Sequence, residues 1–269
     1  IPRNAVRALA LAAARRVGRP RRLAPEPTHT STVFTPTGHL NGRNMGATRT
    51  DPALRTAVSR GQLAKVSTLL KGVNLQDEAG GAANAGGSRK PSLVSEALSR
   101  GHVAIAGLLL EHGATPQASE GGDVLVAALK ADGATLVAPL IAALGTHAPA
   151  AVGEFVREWT PTMHAAKVGA LGALSSLLGA GADVDARMVR HGGTALMVAV
   201  QNAQLEAVRR LLEAKASVEM TDAQGWTALQ WAAQMGALGP IEALLAHGAG
   251  VNTAAAGSSS AMMVAVENG

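Results

Sequence analysis

Paired aliphatic residues return along the chain at a nearly constant interval: Leu69-Leu70, Leu109-Leu110, Leu140-Ile141, Leu177-Leu178, Leu211-Leu212 and Leu244-Leu245, spaced 31 to 40 residues apart. An apolar period of this length marks one helical supersecondary unit copied along a stack. Eight residues before each pair stands a small residue or helix breaker, namely Gly61, Gly101, Asp132, Gly169, Ala203 and Gly236, and Gly269 follows after another 33 residues. A short apolar helix closed by Ala precedes that position, as in Leu196-Met197-Val198-Ala199 and Leu229-Gln230-Trp231-Ala232. A Gly-Ala turn comes after the pair, as in Gly181-Ala182-Asp183-Val184-Asp185-Ala186. The pattern predicts helix, turn, helix and long loop in each copy, and one elongated all-α domain rather than several globular ones.

The clearest copies run from Asp222 to Asn252 (Gln224-Gly225-Trp226-Thr227-Ala228-Leu229, then Ala232-Ala233, Gly236, Leu244-Leu245 and His247-Gly248-Ala249) and from Thr160 to Ala186 (Thr160-Pro161, Ala165-Ala166, Gly169). On these residues the chain resembles the ankyrin repeat family, whose pattern is G-x-T-P-L-H-x-A-A-x-x-G, then L-L, then G-A-D-V-N-A. The resemblance covers residues 51–269 and is most specific in the last four copies. Asp132 stands where the family has Gly, Pro139 falls inside a second helix, Gln230 replaces the family's His and Thr162 a Leu. The resemblance implies an ankyrin-type helical solenoid of six full repeats plus a partial seventh, whose function is non-covalent binding.

Composition fits a stack. Apolar residues make up 47% of the chain and aromatics only 2%, with no Tyr. A core of Leu, Val and Ala suits short helices that must approach closely, and stacking supplies the burial that one copy is too small to achieve. The absence of Cys excludes a disulfide framework, thiolate metal sites and Cys nucleophiles. The longest apolar run, Ala134 to Gly145, is 12 residues with Pro139 inside it, so no membrane span is expected.

Charge divides the chain in two. Residues 1–50 hold nine Arg, no Lys and one acid, Glu26, while the whole chain is only +5, so the repeat part is slightly acidic. This first segment reads as a basic extended N-terminal arm, its Pro and Thr content (Pro20, Pro25, Pro27, Pro36, Thr28, Thr30, Thr32) offering no core of its own. Arg3, Arg7, Arg15, Arg16, Arg19, Arg21 and Arg22 make it similar to a mitochondrial or plastid transit peptide, or to an arm that lies on RNA or an acidic protein neighbour. Phe34 is its one ring for stacking, which favours backbone or protein docking over base recognition. The first residue is Ile1 and the last, Gly269, falls within a seventh copy, so the polypeptide is expected to continue.

Few residues offer chemistry. His102, His112 and His247 occupy scaffold positions, and no His pair has ligand spacing. Asp183 and Asp185 sit in an inter-copy loop, where they can accept backbone N–H groups. The Gly-rich insert Gly72 to Ser88 lacks the Gly-Lys-Ser/Thr ending of a phosphate-binding loop. No cofactor, metal, small-molecule substrate or catalytic residue is therefore expected.

The positions just before the repeat Gly carry more. They read Ser59-Arg60, Ser99-Arg100, Lys130-Ala131, Lys167-Val168, Gln201-Asn202 and Gln234-Met235, a basic row in the first four copies and an uncharged one after. The family's concave surface borders these positions, so Arg60, Arg100, Lys130 and Lys167 are candidates for an acidic partner, although cations also complement a helix C-terminus without one. Trp226 and Trp231 are the second candidates, as one aromatic patch or as packing residues. Phe155 and Trp159, four apart, fit one helix face and read as local core.

The expected function is a non-enzymatic scaffolding subunit of a large organellar assembly, with a mitochondrial ribosome fitting the Arg arm best and rRNA as its phosphate partner. The alternatives are an adaptor for a single protein partner and a peripheral subunit of a respiratory or photosynthetic complex. The expected location is the mitochondrion, with plastid and cytoplasm as alternatives.

Overall fold

Several of the first helices begin where a side chain can take up the free N–H groups of the first turn. In the computed structural model, which describes residues 52–71, 91–154, 156, 158–253 and 260–267, the hydroxyls of Thr160 and Thr227 accept the N–H groups of Met163 and Gln230, each at 3.3 Å. Ser92 does the same for Ser95 at 3.2 Å. Gln230, fully buried, returns the bond by accepting the Thr227 N–H at 2.7 Å and so closes a capping box. The basic arm and the Gly-rich insert lie outside the described residues.

The α-helices are α1 Pro52–Ser59, α2 Leu63–Leu69, α3 Leu93–Ser99, α4 Val103–Glu111, α5 Gly121–Lys130, α6 Val137–Leu144, α7 Ala148–Gly153, α8 Pro161–Val168, α9 Leu171–Gly179, α10 Ala195–Gln201, α11 Leu205–Glu213, α12 Ala228–Gln234, α13 Leu238–Ala246 and α14 Ala261–Glu267. Among the described residues there is no strand, only two isolated bridges. The first helices α1, α3, α5, α8, α10, α12 and α14 pack in that order as one row, and α2, α4, α6, α9, α11 and α13 pack as a second. The fold is an all-helical solenoid of two layers.

One backbone feature joins the layers. Gly61, Gly101, Asp132, Gly169, Ala203 and Gly236 all have positive φ, at 69°, 79°, 57°, 71°, 55° and 63°. Only a left-handed residue lets the chain leave the first helix and re-enter the second in so few residues. Asp132 and Ala203 therefore hold the glycine conformation with a side chain attached. Pro139 is equally well placed, because it is the third residue of α6, where its missing N–H has no intrahelical acceptor to lose.

Each aliphatic pair sends at least one member into the core, and Leu211-Leu212 sends both. Leu109, Leu140, Leu177, Leu211 and Leu244 are fully buried, and in the first described pair the buried member is Leu70. Loops tie successive copies: Asp185 accepts the Ser217 N–H at 2.9 Å and Glu219 that of Gly250 at 2.6 Å. Asp183 accepts the Asp185 N–H at 3.0 Å, so both loop aspartates act on the backbone as expected.

The segment Ala134–Gly153 departs from the sequence reading. Its 20 residues are apolar and long enough to span a bilayer by length and composition. At Gly145 the backbone turns to φ 52°, ψ −117° and divides it into α6 and the additional helix α7, which packs on α5. Val137, Leu140, Leu144, Ala148, Ala151 and Val152 are buried along it.

Two substitutions test this account. Ala203→Gly relieves a left-handed alanine and is expected to stabilise the chain by about 0.5–1 kcal/mol. Thr162 is buried with its hydroxyl unpartnered among the described residues, so Thr162→Val is expected to add about 1 kcal/mol. Urea unfolding reads both as a higher midpoint at unchanged slope. A lower midpoint for the valine variant would mean that the hydroxyl is satisfied in solution.

Candidate partner-binding face

The basic row divides into two halves with different work to do. Arg100 reaches back to the preceding copy, where its Nη1 donates to the Ser59 carbonyl at 3.1 Å, and its Nη2 lies 3.6 Å from Glu96 Oε1. Glu96 also accepts from Arg55 Nη1 at 2.7 Å. This cluster staples α1 to α3 and places a cation at the last carbonyls of α1, where the helix dipole favours it. Arg60 is exposed just past the end of α1.

Lys130 and Lys167 converge instead on a cavity of about 160 Å³, shared with Val156, Trp159 and His164. Lys130 closes α5, Lys167 stands in the last turn of the adjacent α8, and both are exposed. The Trp159 and His164 rings have centroids 5.3 Å apart, and the Lys167 ammonium lies 5.4 Å from the Trp159 centroid, within cation–π range. Burial, followed by the positive charges of Lys130 and Lys167, pushes the His164 pKa down to about 4. The imidazole is thus neutral at pH 7 and offers one N–H and one lone pair.

Trp159 corrects the sequence reading, because it is not on a helix. Glu154 leaves α7 with extended ψ of 133°, Glu158 has φ of 80°, and Val156 and Trp159 form an antiparallel bridge, with the Val156 N–H donating to the Trp159 carbonyl at 2.8 Å. That turn places Trp159 over the cavity. Phe155 lies outside the described residues.

Of the two alternatives for Trp226 and Trp231, each holds in part: the rings form one patch and both pack against the core. Trp226 and Trp231 have ring centroids 4.9 Å apart. Nearly buried Asp222 fixes them: one carboxylate oxygen accepts the N–H groups of Gln224 and Trp226 at 3.0 and 2.9 Å, and the other accepts the Trp231 indole N–H at 2.8 Å. With their polar atoms used, the half-buried rings present a rigid apolar face.

Register would have exposed the first patch as well. Trp159 and Trp226 each precede the Thr that caps a first helix, and His164 and Trp231 hold the same helical position after it. Exposed Val168 and Met235 also share a register, one residue before the left-handed glycine, and extend each patch with apolar surface. The candidate face thus carries two aromatic clusters, basic around α8 and uncharged around α12. The seven arginines proposed for the arm lie outside the described residues.

Known proteins share this architecture. The family model for ankyrin repeats in three copies matches residues 124–222 and 196–269. The chain is similar to the human ASB11 ankyrin repeat domain, with 27% identity and a TM-score of 0.56 over 79% of this chain and 90% of that one. It is also similar in fold to the ankyrin repeat domain of Bcl-3, a unique member of the IkappaB protein family, with 24% identity and a TM-score of 0.58 over 80% of this chain and 94% of that one.

His164 gives a pH prediction. Its folded pKa of about 4 lies below the ordinary 6.5. As pH falls between those values the unfolded chain takes up a proton that the folded chain refuses, so stability declines across that window. The expected loss, screened at this partly exposed site, is on the order of 1–3 kcal/mol. Proton NMR should show the His164 ring titrating near pH 4, and His164→Gln should flatten the stability slope between pH 6.5 and 4 relative to the parent chain. A ring that titrates at its ordinary value would refute the picture of a half-buried imidazole between two ammonium groups.

Proposed function

Because the chain belongs to the ankyrin repeat family, we propose that it is an adaptor that holds a protein partner on its first-helix face, across the two aromatic clusters. The repeat domain is a protein–protein interaction module, and families of this kind are generally non-enzymatic. The observation that carries the adaptor reading is the paired placement of rings: Trp159 with His164 and Trp226 with Trp231 recur at the same two register positions, on the same row of helices. Rigid aromatic anchors bordered by apolar and polar groups are what a protein interface concentrates.

A subunit of a mitochondrial ribosome, or a peripheral subunit of a respiratory or photosynthetic complex, draws its support from the Arg-rich arm. The similar structures are repeat domains and supply nothing for rRNA or a large complex, so the adaptor accounts for more of what is observed. For location we retain the mitochondrial reading of the arm, which rests on its Arg content alone.

Sedimentation of the endogenous protein from gently lysed cells, with and without RNase, separates these readings. An adaptor is expected in a small species that RNase does not shift. Migration with a ribosome-sized particle that collapses on RNase treatment would overturn the adaptor and restore the ribosomal subunit. A large particle indifferent to RNase would favour a protein or membrane complex.

A further inference from the structure

We propose, resting on the adaptor reading, that the cavity between Lys130 and Lys167 receives an acidic segment of the partner protein, one carboxylate to each ammonium, with the two acids two or three residues apart.

Charge complementarity carries the assignment. The repeat part of the chain is slightly acidic overall, yet among the described residues neither Lys130 nor Lys167 has a carboxylate partner. The acids nearest in sequence to Trp159 are turned elsewhere. Glu154 accepts the Gly122 N–H at 2.9 Å, and Glu158 pairs with Arg190. The fold therefore gathers two cations at one cavity and occupies Glu154 and Glu158 in other bonds. The counter-charge is left for a ligand to bring.

The spacing follows from the stack. Lys130 and Lys167 hold one register position on the adjacent helices α5 and α8. Packed helices lie about 8–10 Å apart and an extended peptide advances about 3.3 Å per residue with alternating side chains, so of the two spacings the acids two residues apart fall on one face and match two flexible ammonium groups best. Two separate single charges suit this geometry better than one phosphoryl dianion. Among the described residues the cavity is lined by two ammonium groups and no guanidinium fork, the group that grips phosphate bidentately. Trp159 and Val156 wall the site with apolar surface beside the two ammonium groups. His164, neutral between the two lysines, can donate an N–H to one carboxylate oxygen.

The test uses the full chain and three fluorescein-labelled peptides that differ only between Gly-Ser flanks: Glu-Ala-Glu, Gln-Ala-Gln and phosphoserine-Ala-Ala. Anisotropy titration is expected to show the Glu peptide bound about tenfold tighter than the Gln peptide, a difference of ~1.4 kcal/mol. The double variant Lys130→Ala, Lys167→Ala should lose that preference, and because both side chains are exposed its circular dichroism should match the parent's. Saturation with the Glu peptide should also raise the NMR titration point of His164, which locates the bound charge beside that ring. Equal affinity for the Glu and Gln peptides, no binding of any peptide, or a preference that survives the double substitution would overturn the proposal. Binding of the phosphoserine peptide alone would replace the carboxylate with a phosphoryl group and overturn it too. A small RNase-indifferent species with no Glu preference would remove the acidic segment and leave the adaptor. An RNase-sensitive particle with the Glu preference intact would remove the adaptor and keep the basic site.

Discussion

No helix pair in this chain can bury its own apolar face, and everything else in the structure depends on each pair closing against the next. Helices of six to ten residues are too short to persist alone in water. Their stability comes from leucines such as Leu140, Leu177, Leu211 and Leu244, which are fully buried because a neighbouring copy covers them. Burying such a side chain is worth about 1.5–3 kcal/mol. In a stack that gain is shared between neighbours, so a defect in one copy is felt first in the copies beside it.

Stacking also aligns the surface, and that alignment is how the fold makes a site. Because a register position repeats from helix to helix, Lys130 and Lys167 come to one cavity although 37 residues separate them in sequence. Trp159 and His164 meet in the same way that Trp226 and Trp231 do. A scaffold whose core positions are nearly fixed can vary its exposed register positions copy by copy without disturbing the stack. The basic character around α8 and the uncharged character around α12 are two such settings on one row.

The periodic part of this design was legible in the sequence. The aliphatic pairs and the left-handed position before them are fixed by backbone geometry, so even Asp132 and Ala203 could be placed where glycine is usual, and both have positive φ. What interrupts the period was not legible. Residues 145–158 belong to no copy, and an interval of four between Phe155 and Trp159 fits a helix as readily as a turn until the Val156 to Trp159 bridge decides it. For the same reason α7 went unforeseen. Nor could sequence divide the basic row, because the role of Arg100 rests on reaching the Ser59 carbonyl of another copy, whereas Lys130 and Lys167 gain theirs from a cavity that the insert completes. The aromatic register was readable and missed, since it required comparing Trp159 with Trp226 across two copies.

The lysine cavity has a thermodynamic consequence that distinguishes it from the rest of the surface. The depressed pKa of His164 records burial first and then the positive field of Lys130 and Lys167. An evolved surface without a ligand could relieve it by turning Glu154 or Glu158 inward, yet both are bonded elsewhere. Positive charge of this kind is cancelled when an acidic partner binds, and that attraction adds to the affinity. The same charges would reject a cationic or neutral segment that fits the aromatic wall equally well, so they act on the choice of partner more than on the total strength of binding. Trp226 and Trp231, locked by Asp222, supply the complementary contribution of apolar contact area. On the proposed adaptor reading, one selective cluster and one adhesive cluster divide the recognition of a single protein between charge and contact area.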